Sequence, residues 1–120
     1  MNPKKIELPE QADFSYIKDI AGGDQSAYEN LLRIIGKNLN EYPPQIAEAH
    51  NKGTLEDMKK LAHKYKSCTA YLNFPMLDTL LNDLEYGNIE ERSPQEREEV
   101  IDQISQLSEF LEKEVVRALG

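Results

Sequence analysis

Residues 55 to 73 read LEDMKKLAHKYKSCTAYLN, and the fold turns on how their apolar side chains are spaced. Met58, Leu61, Ala62, Tyr65, Cys68, Thr69 and Leu72 recur in steps of three and four. Set 100° apart on an ideal helix, they gather in one sector, the side that must face a core. His63 falls about 155° from the middle of that sector. It shares the opposite side with Glu56, Lys59, Lys60, Lys66, Ser67 and Ala70. The spacing therefore predicts a helix over about 55–72 with its histidine on the wet face.

The same period extends in both directions. Upstream, Tyr28, Leu31, Leu32, Ile35, Leu39, Tyr42, Ile46 and Ala49 hold one phase behind an Asp24 cap. Pro43 and Pro44 interrupt the ladder of donors, so this segment is expected as one kinked helix or two nearly collinear ones, and the preserved phase favours the kink. Thr54 with Asp57 three residues on resembles a capping box at the head of the quoted helix. A short helix fits residues 13–20, capped by Asp13, with Phe14, Ile17 and Ile20 on one side and Gly22 and Gly23 ending it.

Downstream, Asn73 and Phe74 break the helix ahead of Pro75, which suits a first helical turn. Leu77, Leu80, Leu81 and Leu84 mark the next buried stripe, closed by Gly87 and Asn88. Ser93, Pro94 and Glu96 open a last helix to about 118, with Val100, Ile101, Ile104, Leu107, Leu111, Val115 and Ala118 inward. No stretch shows the two-residue alternation of a half-buried strand. The expectation is an all-α fold: an antiparallel up-and-down four-helix bundle over 13–119 with a short extra N-terminal helix, preceded by a flexible arm at 1–12.

Totals narrow the function. At 120 residues the chain makes one domain. Its net charge of −8 argues against nucleic acid as a general partner. A single cysteine, Cys68, excludes an internal disulfide and a thiolate cluster; lying in the core sector, it reads as a small hydrophobe. No run of about 18 apolar residues exists to span a bilayer, and the N-terminus lacks the apolar stretch of a secretion signal. A cytoplasmic, standalone monomer without metal or other cofactor is expected.

Against that acidic background, Lys59, Lys60, Lys64 and Lys66 crowd around His63. An imidazole is nucleophilic only when neutral, and neighbouring lysines disfavour the imidazolium. The same lysines would stabilise a phosphoryl group on the ring. Ser67 and Ala70 are small and leave the surface low on one side, so another protein could come close. Spacing alone favours an ordinary solvated helix face.

A resemblance adds to this. The stretch LAHKYKSCTAYLNFPMLDTLLNDLE, residues 61–85, resembles the signature of histidine-containing phosphotransfer domains of two-component phosphorelays. That signature runs Ala, His, any residue, Leu, Lys, Gly, then small residues ending Leu-Gly, then a leucine-rich helix and Leu-Glu. Ala62, His63, Lys66, Leu72, Leu77, Leu84 and Glu85 match in order. IAGGDQSAYENLL, residues 20–32, and NEYPPQIAEAHNKGTLEDMKKLAH, residues 40–63, resemble the family's second helix and its approach to the histidine.

The resemblance implies that His63 accepts a phosphoryl group from a receiver-domain aspartyl phosphate and passes it to another receiver. Lys66 would neutralise phosphate charge, and Lys59, Lys60, Ser67 and Ala70 would meet the partner. Magnesium would sit on the receiver, a hybrid histidine kinase could stand upstream, and the chain would have no autokinase activity. Three positions depart from the pattern. Ser67 and Asn73 replace glycines, and Tyr65 replaces leucine. Ser67 could hinder docking or donate a hydrogen bond to the phosphate, while Tyr65 changes packing.

The rival reading is a scaffold that binds an acidic partner through the lysine face. His50 reads as a helix C-terminal residue near the negative end of the dipole. Tyr71 and Lys64 flank the histidine face as solvated surface.

Overall fold

A computed structural model describes Leu8 and residues 11–120, and among these the chain is all-helical, without strands. Five α-helices follow in order: α1 (Ser15–Ala21), α2 (Gln25–Asn51), α3 (Leu55–Thr69), α4 (Pro75–Tyr86) and α5 (Pro94–Leu119). Short 3-10 turns at Ala70–Leu72 and Ile89–Glu91 join α3 to α4 and α4 to α5.

Helix ends follow local chemistry. Asp24 accepts the Ala27 amide at 3.1 Å, and the Ser93 hydroxyl accepts that of Glu96 at 3.1 Å, so both expected caps form. Two others do not. Thr54 turns its hydroxyl away from α3 and donates it to the Ala49 carbonyl at 3.0 Å, where its own amide also bonds. With Gly53 at φ +76° bonding its amide to His50, this closes α2 as a Schellman motif. The orphan carbonyls of α2 outcompete the orphan amides of α3. Likewise Asp13 does not cap α1: its Oδ1 accepts the Ser15 amide at 2.9 Å in a local turn, and Phe14 holds the cap position.

The core forms where the spacing predicts it. Met58, Ala62, Tyr65, Cys68, Thr69 and Leu72 of the quoted stretch are buried, and Leu61 is half-buried. They meet Leu32, Ile35, Leu39 and Ile46 of α2, Leu77, Leu81 and Leu84 of α4, and Ile101, Ile104, Leu107, Leu111 and Val115 of α5. Each fully buried aliphatic side chain contributes about 1.5–3 kcal/mol. Helix α2 packs on α3 and α5, α4 packs on α3 and α5, and α1 packs on α2 and the 3-10 turn after α3.

Two expected inward positions, Ile20 and Ala118, are exposed, and in each final turn the following residue, Ala21 or Leu119, packs against the core instead. Pro43 and Pro44 lie inside the unbroken α2, with Pro43 buried.

Tyr65 does more than change packing. Its ring stacks on Tyr42 of α2 with centroids 5.1 Å apart, and its hydroxyl pairs with Ser108 of α5 at 2.6 Å, so one side chain ties three helices. Burial pushes its phenol well above the usual tyrosine range. The arm assigned to 1–12 falls largely outside the described residues. At its end the Ala12 amide donates to the buried Glu114 at 2.9 Å.

Candidate functional site

Helix α3 buries its apolar sector against the other helices, and this rotation leaves His63 outward with 66% of its side chain exposed. Its neighbour across the groove is Glu85, in the last turn of α4. Glu85 is itself largely enclosed, at 12% exposure, and it divides its two oxygens. Oε2 lies 2.6 Å from His63 Nδ1, and Oε1 accepts from Lys66 Nζ at 2.9 Å. Burial alone would push the Glu85 carboxyl up. The hydrogen bonds from Lys66 and His63, with the Lys66 charge, outweigh it and hold the carboxyl below its ordinary value.

This contact fixes the imidazole. A carboxylate at Nδ1 accepts a proton held there, which selects the tautomer whose lone pair is on Nε2, at the other edge of the ring. The logic is that of any oriented histidine base or nucleophile: one nitrogen anchored, the other presented.

The lysines are less free than their crowding suggests. Lys66 is held between Glu85 and the ring of Tyr86, whose centroid is 4.8 Å from Nζ. Lys59 pairs with Glu90 in the α4–α5 connection and stands 3.7 Å from Glu56. Lys60 and Lys64 point away into a groove of about 360 Å³ between α2 and α3, shared with Lys52, Glu48 and Asp57. The Ser67 hydroxyl donates to the Lys64 carbonyl at 2.6 Å and is thus engaged with its own helix rather than offered to a ligand. Ala70 is exposed at the start of the 3-10 turn, and Tyr71 stacks on Tyr16 of α1 at 6.3 Å.

The structure therefore brings His63 and Lys66 together through a shared carboxylate and leaves Lys59, Lys60, Ser67 and Ala70 as the surrounding surface. Comparison with protein-family models, curated proteins and solved structures finds no match. The site rests on its own geometry.

The second histidine belongs elsewhere. His50 lies in the last turn of α2, as expected, is 8% exposed and accepts at Nε2 from Arg97 Nε at 3.1 Å. Cys68 is buried, which pushes its thiol up and away from thiolate chemistry. Among the described residues no group of three or more histidine, cysteine, aspartate or glutamate side chains is placed to hold a metal ion. No helix among them is long and apolar enough to cross a membrane.

Glu85 is the site residue that spacing along α3 does not reveal. It lies 22 positions from His63 and on another helix, so no helical period connects them. The only sequence signal is its place in the Leu-Glu pair of the resemblance, which by itself gives no contact.

Proposed function

We propose that the chain is a histidine phosphocarrier of a two-component phosphorelay, built on an antiparallel up-and-down four-helix bundle of α2 to α5 with α1 as an extra element. The cyclic packing of α2 on α3, α3 on α4, α4 on α5 and α5 on α2 supports that arrangement. The observation that carries the functional reading is an exposed imidazole with Nδ1 anchored 2.6 Å from a carboxylate.

In the proposed step Nε2 of His63 attacks the phosphorus of a receiver's aspartyl phosphate. An N–P bond forms as the acyl O–P bond breaks, and the aspartate leaves as a carboxylate. Nε2 spends its lone pair, so positive charge develops on the ring, and Glu85 stabilises it through the Nδ1 proton. Lys66, one hydrogen bond away on the same carboxylate, supplies positive charge for the phosphoryl oxygens. The reverse step delivers the group to a second receiver. The receiver contributes magnesium and the acidic pocket, and the chain contributes one positioned nucleophile without a kinase site of its own. A monomeric, cytoplasmic protein suits this role.

The scaffold reading requires a free lysine face. It is weakened by the pairing of Lys59 with Glu90 and Lys66 with Glu85.

Mixing the protein with phosphorylated receivers and magnesium tests the proposal. Acid-labile, base-stable label at His63 is expected. Absence of label from every receiver of the source organism, or label that persists in His63→Gln, overturns it.

A further inference from the structure

Tyr86 ends α4 with 68% of its surface exposed, the most of any large apolar side chain among the described residues. An aromatic ring so placed gains little from burial, yet it is not idle. Its face meets the Lys66 ammonium 4.8 Å from the centroid, while Glu85, its neighbour in sequence, holds the same ammonium at 2.9 Å. An ion pair by itself restrains a lysine weakly, because the four-carbon stem is flexible and exposed pairs gain little. Two contacts from adjacent residues of one helix end confine the ammonium to one place. Lys66 is correspondingly enclosed, with 24% of its side chain exposed.

We propose that Tyr86 is a positioning residue that holds the Lys66 ammonium beside His63 through its ring face. The role in phosphoryl transfer rests on the phosphocarrier reading; the placement of Lys66 does not.

The test uses Tyr86→Phe, which keeps the ring, and Tyr86→Leu, which keeps much of the volume without it. The Lys66 ε-methylene protons should be shifted upfield by the ring in the wild type and Y86F, and should return to ordinary lysine positions in Y86L. Phosphoramidate then serves as a small donor: His63 Nε2 forms the N–P bond while the donor's P–N bond breaks and ammonia departs with a proton. Y86L should accept phosphate about two- to fivefold more slowly than the wild type, with an unchanged melting temperature, and Y86F should match the wild type.

An identical Lys66 spectrum in wild type and Y86L overturns the inference. So does Y86F slowing as far as Y86L, which would assign the effect to the hydroxyl. If the ring shift is present but neither phosphoramidate nor a receiver labels His63, the phosphocarrier reading fails while the placement of Lys66 by Tyr86 stands.

Discussion

His50 and His63 lie 13 residues apart, on either side of the α2–α3 turn, in opposite settings. The His50 ring is buried, and its Nε2 accepts from Arg97, which also donates to the carbonyls of Arg92 at 2.6 Å and Ile89 at 3.3 Å. Arg92 in turn grips Asp83 with two bonds of 2.6 and 2.7 Å. This histidine is a structural acceptor that ties the end of α2 to the α4–α5 connection. His63 has the reverse arrangement: its ring is exposed, and the carboxylate that touches it takes Nδ1. The difference lies in which nitrogen the protein occupies and whether solvent reaches the other, since both residues are the same imidazole.

Each side of this comparison can be broken separately. The largest effect is expected from His63→Gln, which removes the proposed nucleophile: labelling by a phosphorylated receiver should vanish while the melting temperature stays within error of the wild type. Next is Glu85→Gln, which keeps the shape and removes the charge that anchors Nδ1. A hydrogen bond to a charged group is worth about 1.5–3 kcal/mol, so acceptance should slow roughly ten- to hundredfold in single-turnover measurements.

The opposite pattern is expected of Arg97→Ala. It strips the buried His50 Nε2 and the Arg92 carbonyl of their donor, while the Ile89 carbonyl keeps the Arg92 amide; the cost is about 1–3 kcal/mol in denaturant unfolding with the labelling rate unchanged.

The smallest effect is on pH dependence. The folded Glu85 carboxyl titrates below its ordinary value. Its contribution to stability is therefore fully present above the usual glutamate range, about pH 4 to 5, and is lost as pH falls through the depressed folded value. The acid limb of the stability curve should be shallower in Glu85→Gln than in the wild type. An equal slope in both would show that the pair with Lys66 and His63 is not maintained in solution.

Much of the helical layout was legible because it depends on one period. The sector of α3 that buries Met58, Ala62, Tyr65 and Leu72 also fixes His63 outside, so a single rotation gives both core and candidate site. The Asp24 and Ser93 caps were legible for the same reason, since each depends on a bond three residues away. What escaped were choices between partners. Thr54 could serve the amides ahead of it or the carbonyl behind it, and the tight Gly53 turn brings Ala49 within reach first. Lysines counted along one helix look like a free basic patch, but Glu85 and Glu90 arrive from beyond α3 and neutralise two of them. The Tyr65 to Ser108 bond was hidden because it joins helices 43 positions apart.

The double proline in α2 has a consequence for motion. Pro43 and Pro44 have no amide hydrogens to give to the Leu39 and Asn40 carbonyls four residues back, so the ladder lacks two consecutive rungs inside an otherwise continuous 27-residue helix. The gap opens on a groove between α2 and α5, where Ser105 and Glu109 stand beside it. Amide hydrogen exchange should therefore divide α2 into two cooperative units at this point, the C-terminal one opening together with the turn that carries α3.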